Sequence, residues 1–265
     1  MKFENRYNSW CEWIAEIIYL CSIHHIILNK ENMLKTVKKY LANKYNCDIK
    51  ELDKTGLNII KNNSENKLKI LLFYDLILVS TSENLYELVK EKLTGKNVYE
   101  IFEFPLVYGQ SIYFIPDLTR LEKQDEIKKY EFKLFDGNTE QIELSSGFEN
   151  AITFGENGKC ISNIAYCAYC NGNIIGVAGA DKINEDIWEV GIEVLPEYRK
   201  DGLATILTKN LTMKILEKVI VPIWCASSTN IGSQAVANRS CYIPLWVESF
   251  GDIFDDGFVY KDLLK

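Results

Sequence analysis

The alternation of apolar and polar positions is clearest in the second half of the chain. Apolar residues recur at strand spacing over residues 130–135, 164–170, 174–180 and 188–194, which predicts four strands. The segment Asn171-Gly172-Asn173 joins the second strand to the third, and an Asn-Gly pair in that position is typical of a tight hairpin turn. We therefore expect an antiparallel hairpin in the middle of this half.

Helical spacing follows the last of these strands. A turn that contains a glycine comes after Leu195-Pro196, and the amphipathic segment beyond it predicts a long helix over residues 203–219. The pattern then predicts a strand at 220–226, a helix at 233–240 and a final strand at 258–263.

The first half of the chain mixes helix and strand patterns less regularly. Its pattern predicts helices at 10–20 and 33–40, one or two buried strands within 68–80, a helix from Ser82 to Gly95, and a strand at 107–115. These elements indicate an α+β or α/β lobe. It contains no phosphate loop, metal cluster or nucleophile motif.

A charged segment separates the two halves. Most side chains over residues 118–129 are charged and none is aromatic, which favours a solvated helix or a linker over an interaction tail. We place a domain boundary here. An N-terminal α/β lobe is predicted for residues 1–125 and a second domain for residues 126–265.

Charge and hydropathy argue against several classes of protein. The chain has 265 residues, a formal net charge of -7 and an isoelectric point near 5.1, whereas binding to nucleic-acid phosphates needs a basic surface. The most apolar early stretch, residues 10–28, is interrupted by Glu12, Glu16 and two histidines, so it is a poor membrane span. It also lacks the basic start and cleavage site of a secretion signal. We therefore expect a cytoplasmic protein with no nucleic-acid or membrane partner.

The cysteines and histidines do not predict a metal centre. Cys167 and Cys170 have a suggestive spacing, with Cys160 upstream, but a zinc site would need a second pair of ligands. Residues three apart on a strand point to opposite faces, so Cys167 and Cys170 should diverge. The chain's two histidines, His24 and His25, lie in an apolar stretch and are expected in or beside a core. Reduced thiols and no bound metal are expected.

The turn before the predicted long helix has the features of an anion site. The first N–H groups of a helix lack partners within the helix, and the positive end of the helix dipole lies behind them. Gly202 would let the backbone approach a ligand with no Cβ in the way, and Arg199 and Lys200 would add positive charge. Such a turn suits a phosphate or a pyrophosphate.

This turn resembles the acetyl-CoA pyrophosphate loop of the GNAT superfamily of N-acetyltransferases. The spacing R-x-x-G-x-A is formed by Arg199, Gly202 and Ala204, and it follows a strand that ends in Val194-Leu195-Pro196. The strand around Glu189 is similar to that superfamily's fourth strand, which runs beside the pantetheine arm.

Later motifs extend the resemblance. Asn230 and Ser233 resemble the start of the superfamily's later N-x-x-S helix, in which the asparagine contacts the cofactor. Together with Trp224 and Cys225 on the preceding strand, they are similar to a bacterial subfamily that includes zwittermicin-resistance-type acetyltransferases. The resemblance covers residues 130–265 strongly and the first lobe less specifically.

The resemblance implies an α/β (α+β) fold of GNAT type. Its mixed, twisted sheet would splay between the fourth and fifth strands, with flanking helices and the N-terminal lobe added. Acetyl-CoA, as co-substrate, would bind in the wedge and transfer its acetyl group directly to a primary amine of a small molecule. The implied cofactor-binding residues are Val194, Leu195, Arg199, Lys200, Asp201, Gly202, Leu203, Ala204, Thr205, Asn230 and Ser233.

Proton transfer would need residues that the resemblance indicates less clearly. Glu189 is the first candidate for the base and Glu193 the second, because residues four apart on a strand share a face. Many members of the superfamily carry a tyrosine acid seven residues after the helix asparagine, where this chain has Ala237. Either no acid is needed, or another hydroxyl replaces that tyrosine. The candidates are Ser233, Ser240 and Tyr242, and core packing is the alternative role for Tyr242.

Two other functions remain open at this level. A catalytically degenerate acyl-CoA-binding or sensing module would keep the cofactor loop but lack the proton-transfer groups, as Ala237 suggests. An interaction scaffold would instead use the first lobe as a docking surface. Exposed strand edges could also pair two copies into a homodimer. The sequence does not identify the amine acceptor.

Overall fold

The computed structural model describes residues 31–63, 67–103, 109–142 and 147–249. The predicted helix at 10–20, the two adjacent histidines and the predicted strand at 258–263 lie outside these residues. Among the helices in the described ranges, none combines the length and the apolar character that crossing a membrane requires.

The described chain contains five α-helices and ten strands. The helices are residues 31–45 (α1), Tyr86–Leu93 (α2), Val98–Phe102 (α3), Leu203–Leu216 (α4) and Ile231–Arg239 (α5). The strands are Gly56–Asn62 (β1), Leu68–Phe73 (β2), Leu76–Ser82 (β3), Gln110–Pro116 (β4), Glu131–Asp136 (β5), Ile164–Cys170 (β6), Asn173–Asn184 (β7), Ile187–Val194 (β8), Val221–Ser227 (β9) and Tyr242–Ser249 (β10).

All ten strands belong to one mixed sheet with the order β1-β3-β2-β10-β4-β9-β8-β7-β6-β5. The most distant pairing in sequence is that of β10, which lies between β2 and β4 and is antiparallel to both. Strands from both sides of the predicted boundary near residue 125 are therefore hydrogen-bonded to one another. Strands β1 and β5 end the described sheet, and the edge-to-edge homodimer stays a prediction.

Most of the predicted elements are confirmed. Strands β5 to β9 and helices α4 and α5 lie where the pattern of the second half placed them, and β2, β3 and α1 account for the patterns of the first half. The long helix ends at Leu216 instead of 219, and Val219 has a left-handed φ of 62°. The charged segment 118–129 contains no helix, and Gln124 holds it against α4 through two hydrogen bonds of 3.0 Å with Asn210.

Helices cover the two faces of the sheet in different places. On one face, Leu203, Leu207 and Leu211 of α4 pack against β6 to β9. On the other face, Val37 and Leu41 of α1 pack against the strands of the first lobe. Each such fully buried side chain stabilises the fold by about 1.5–3 kcal/mol. Helix α4 therefore covers one face of β6 to β9, and the cluster around α1 reaches Ile187 of β8 and Ile223 of β9 on the other face.

Candidate active site

Strands β8 and β9 separate soon after they begin. They are parallel neighbours over three residue pairs, the last of which joins Glu189 to Ile223. Beyond that pair, β8 continues to Val194, whereas β9 continues alongside β4, with Trp224 opposite Phe114. A wedge-shaped gap therefore opens within the sheet, as the resemblance implied.

Some backbone N–H and C=O groups of β8 point into this gap and form no hydrogen bond with β7. The N–H of Leu195 donates to the carbonyl of Ile175 on β7 at 3.0 Å. Because N–H and C=O directions alternate along an antiparallel strand, those of Val194 and Ile192 point away from β7, into the gap. The Nε of Arg199 donates to the Val194 carbonyl at 2.7 Å. The turn before α4 is thereby fastened to the end of β8, and the two N–H groups still face the gap.

The N-terminus of α4 has no side-chain cap. Its N-cap is Gly202, with a left-handed φ of 82°, and a Cβ built there would meet no atom within 4 Å. The neighbouring Lys200 also has a left-handed φ, of 72°. Asp201 does not cap the helix, because its carboxylate pairs with Lys129 at 2.9 Å. The first N–H groups of α4 are thus open to a ligand that approaches from the cleft.

The N-terminus of α5 differs, because its own side chains satisfy it. The Oδ1 of Asn230 accepts the N–H of Ser233 at 3.0 Å, and the Ser233 hydroxyl accepts from Trp224 Nε1 at 3.0 Å. Both residues that the resemblance assigned to cofactor binding therefore also hold the helix and a buried tryptophan in place.

One cleft of about 1110 Å³ connects these features. It extends from the first turns of α4 and α5, here called the cofactor end, through the gap to residues 149–153, 181–183 and Glu189, here called the acceptor end. Nine of the eleven expected cofactor residues line it. The other two do not: Leu195 packs against the cluster around Phe148, and Asp201 faces Lys129.

Glu189 lies in the cleft where β8 and β9 begin to separate. Its side chain is reached by solvent through the cleft. The surrounding protein nevertheless removes part of the water around the carboxylate, and this desolvation raises the pKa of Glu189. The charge of Lys44 lowers this pKa, and those of Asp181 and Glu248 raise it. No hydrogen bond or ion pair within the described residues occupies the Glu189 carboxyl. It is therefore available to accept a proton.

Glu193, the second candidate base, is occupied. Its Oε2 accepts hydrogen bonds from both the backbone N–H and the side-chain Nδ2 of Asn150, each at 3.1 Å. The chain around Asn150 lies directly on the sheet, since a Cβ at Gly191 would come within 2.3 Å of the Asn150 carbonyl oxygen. Gly179, which is paired with Gly191 across β7 and β8, is covered in the same way. Glycines inside the two strand patterns are the sequence sign from which such a close approach of another segment can be predicted.

Tyr242 lies in the core, away from the cleft. It is fully buried, its hydroxyl shares a hydrogen bond of 2.8 Å with Thr212, and its ring packs against Trp224. Burial raises the pKa of its phenol. Ala237 and Ser240 are also fully buried. Core packing therefore accounts for Tyr242, and the structure offers no route for it to reach a leaving group.

A charged cluster beside Glu189 was not predicted. The ammonium of Lys44 lies 2.5 Å from the carboxylate of Glu248, which is 1% exposed, and 5.5 and 5.3 Å from the ring centres of Tyr40 and Tyr113. Glu248 also accepts from Trp246 Nε1 at 3.1 Å. Lys44 and Glu248 are 204 residues apart, so the cluster depends on β10 entering the first lobe. The one sign of this cluster in the sequence is Glu248, which follows Trp246 by two positions in an otherwise apolar segment.

The described residues contain no group of three or more histidine, cysteine, aspartate or glutamate side chains that could hold a metal ion. Cys167 packs with the cluster around Phe148, whereas Cys170 packs with the cluster beneath α4. The two thiols thus diverge across β6.

Comparison with known proteins identifies the family. The family model described as GNAT acetyltransferase matches residues 59–243, from β1 into β10. No curated protein matches the chain.

Several solved structures show some similarity. A GCN5-related N-acetyltransferase-like protein from Streptococcus suis is 19% identical, with a TM-score of 0.41 over 66% of this chain and 71% of that one. A GCN5-related N-acetyltransferase from Kribbella flavida is 14% identical, with a TM-score of 0.41 over 71% of each chain. A GNAT family acetyltransferase from Elizabethkingia anophelis, solved with acetyl-CoA bound, is 13% identical, with a TM-score of 0.33 over 43% and 75%. On the strength of the family-model match, the chain belongs to the GNAT acetyltransferase family.

Proposed function

We propose that this acetyltransferase uses acetyl-CoA to acetylate a primary amine of a small molecule directly, in a ternary complex. The observation that carries the proposal is the single cleft that joins the open N-terminus of α4 to the carboxyl of Glu189 through the gap between β8 and β9. One end of this cleft suits an anion, and the other holds a free base.

The residues of the cofactor end fit acetyl-CoA. The uncapped first turn of α4 would hold the pyrophosphate, because its N–H groups and helix dipole favour an anion, and Gly202 leaves the space that a Cβ would fill. The hydrogen bond from Arg199 to Val194 fixes that turn against the end of β8. The pantetheine arm would then follow the polar backbone edge of β8 that faces the gap. When bound, the cofactor supplies an acetyl thioester.

Glu189 is the proposed base. An alkylammonium has no lone pair, so the acceptor must lose a proton before its nitrogen can bond to the acetyl carbon. Glu189 would take that proton, directly or through water, and release it to solvent. Its raised pKa makes the carboxylate a stronger base than an ordinary exposed glutamate, and the carboxylate form is present above that pKa.

The N–H groups of Ile192 and Val194 are the proposed donors to the developing oxyanion. They point into the gap, and a fixed backbone donor there stabilises the charge that builds up on the thioester oxygen. As the N–C bond forms, the C–S bond breaks, and the second proton of the amine nitrogen ends on the leaving sulfur. A thiol has a pKa near 8.5, so the thiolate can leave without a dedicated acid. This fits the burial of Tyr242 and Ala237.

Two measurements on the purified full chain test the proposal. Isothermal titration should give micromolar affinity for acetyl-CoA, and adenosine diphosphate alone should bind more weakly because it lacks the pantetheine arm. A thiol-release assay over a panel of primary amines should show saturable turnover, with the acetylated amine detected by mass spectrometry. Tight binding without turnover on any amine would contradict the proposal.

A further inference from the structure

The two ends of the cleft carry opposite charges. The charged side chains that line the cofactor end are all basic: Arg199, Lys200 and Arg239. At the acceptor end, to which Glu193 also belongs because it binds Asn150, four carboxylates and one lysine line the cleft: Glu149, Asp181, Glu189, Glu193 and Lys182. The lysine does not balance them, because its ammonium pairs at 2.5 Å with Glu185, which does not line the cleft.

Two of these carboxylates stand directly opposite each other. Asp181 on β7 is the register partner of Glu189 on β8, so both side chains emerge on the same face of the sheet. Like charges in opposed positions on neighbouring strands repel each other and destabilise the sheet. The charge of Asp181 is one of the causes that raise the pKa of Glu189. A cation placed between them would relieve this repulsion.

Within the described residues, no lysine or arginine forms an ion pair with these carboxylates. None of the ion pairs found there includes any of the four carboxylates. Their hydrogen-bond donors are neutral: Asp181 accepts from the Thr153 hydroxyl at 2.7 Å, and Glu149 from the Gly147 N–H at 3.0 Å. The ammonium of Lys44, which also acts on Glu189, is held 2.5 Å from Glu248.

We infer that the acceptor is a small molecule with at least two cationic amino groups, a diamine or polyamine. The inference rests on the proposed function and narrows it. One amino group gives up its proton to Glu189 and is acetylated. The second stays protonated and is held at the acceptor end by Asp181 and its neighbouring carboxylates, where it relieves the repulsion between Asp181 and Glu189. An amine that carries a carboxylate would bring a fifth negative charge to this end.

Three acceptors of matched length test the inference directly. Thiol-release kinetics on the full chain would compare 1,4-diaminobutane, butylamine and 4-aminobutanoic acid at one pH and ionic strength. We expect kcat/KM for the diamine to exceed that for butylamine at least tenfold, and 4-aminobutanoic acid to be the poorest of the three. Spermidine and 2-deoxystreptamine, added to the panel, distinguish a linear polyamine from a cyclic diamine of the aminocyclitol type, and a preference for either over butylamine supports the inference.

A pair of variants connects the preference to the carboxylates. Asp181→Asn removes the charge but can keep the hydrogen bond with Thr153, and it should lower the ratio of kcat/KM for diamine to butylamine about tenfold. Glu217→Gln removes a carboxylate that lies outside the cleft lining and pairs with Lys214, so it should leave the ratio unchanged. An unchanged ratio in Asp181→Asn would overturn the inference.

The failure of this inference can be distinguished from the failure of the proposed function. Acetylation of butylamine or 4-aminobutanoic acid as efficiently as the diamine would overturn the choice of a diamine acceptor while leaving an N-acetyltransferase. If acetyl-CoA binds but no amine of the panel is acetylated, the proposed function fails and this inference fails with it.

Discussion

The cofactor end and the acceptor end of the cleft are built in different ways. The cofactor end comes from a continuous stretch, residues 194–205, together with the start of α5, and its shape follows from one left-handed glycine and one uncapped helix. The acceptor end brings together β7, β8 and the segment 149–153, and Lys44 and Glu248 act on it from the first lobe and β10. A short motif therefore fixes the first end, whereas the topology of the sheet fixes the second.

The two ends of the cleft also differ in how their charges are balanced. At the cofactor end, basic side chains and open N–H groups lie side by side, so an anion is favoured from several directions. At the acceptor end, carboxylates accept hydrogen bonds from neutral donors, and the two nearby lysines pair with carboxylates outside the cleft lining, Lys182 with Glu185 and Lys44 with Glu248. Substitutions at the two ends should consequently change different measurements.

The largest effect is expected at the acceptor end, from Glu189→Gln. Loss of the base should lower kcat by about 100- to 10,000-fold and leave acetyl-CoA affinity unchanged. In the wild type, activity should fall as the pH drops through the raised pKa of Glu189, because protonation removes the base. That acidic limb should be absent from the variant.

The matched control for this variant is Glu193→Gln. The Glu193 carboxylate holds Asn150, so its loss should loosen the segment around residue 150 and keep the acidic limb. If Glu193→Gln abolished the limb and Glu189→Gln kept it, the two roles would have to be exchanged.

The next effect is expected at the cofactor end, from Gly202→Asp. A carboxylate in the concavity would face the pyrophosphate, and like charges brought together cost several kcal/mol, so acetyl-CoA affinity should fall about 100-fold or more by calorimetry. Gly202→Ala is the control for the left-handed φ of 82°, whose strain costs about 1–2 kcal/mol in stability without adding charge. Equal affinity in the two variants would argue against a pyrophosphate at this turn.

A smaller effect is expected at the N-terminus of α5, which is capped by a side chain, whereas that of α4 is not. Asn230→Ala removes the cap of α5 and should lower the free energy of unfolding by about 1 kcal/mol, which corresponds to a Tm decrease of about 2–4 °C. Asn230→Asp keeps an acceptor for the Ser233 N–H and should retain the stability. If Asn230 also contacts the cofactor, the added charge in Asn230→Asp should weaken acetyl-CoA binding in a fully stable protein.

The smallest effects should come from the ion pair of Lys44 with Glu248, which acts on Glu189 without lining the cleft. The Lys44 charge lowers the pKa of Glu189 and the Glu248 charge raises it. Lys44→Met should therefore move the acidic limb of the activity profile to higher pH, and Glu248→Gln should move it to lower pH. Lys44→Arg keeps the charge and should leave the limb in place. Shifts of the same sign in Lys44→Met and Glu248→Gln would show that the pair acts through structure and not through charge.

Local patterns were enough to predict the cofactor end. The strand that ends at Val194, the glycine turn and the helix from Leu203 follow one another in the sequence, and each is specified by residues close to it. The hairpin of β6 and β7 was predicted for the same reason, since Asn171 and Gly172 both adopt positive φ in its turn.

The acceptor end could not be predicted from such patterns. Strand β10 contains Pro244, and its register shifts between Pro244 and Trp246, so its alternation is broken and no strand was predicted there. Without β10 nothing in the sequence brings Glu248 near Lys44. Tyr242, the first residue of β10, was a candidate acid because the chain has Ala237 at the usual tyrosine position, and its alternative role in core packing fits its full burial against Trp224.

The position of β10 also has a consequence for the order in which the protein folds. Its register partners include Leu71 on β2 and Ser111 on β4, far earlier in the chain. During synthesis, β2 and β4 therefore emerge from the ribosome long before the strand that separates them, and pairings of such long sequence separation form slowly. Until residue 249 is available, two apolar strand edges lack their neighbour and can associate with other chains. We expect that nascent chains shortened before β10 depend on chaperones, and that the ion pair of Lys44 with Glu248 forms only after the lining of both ends of the cleft has been synthesised.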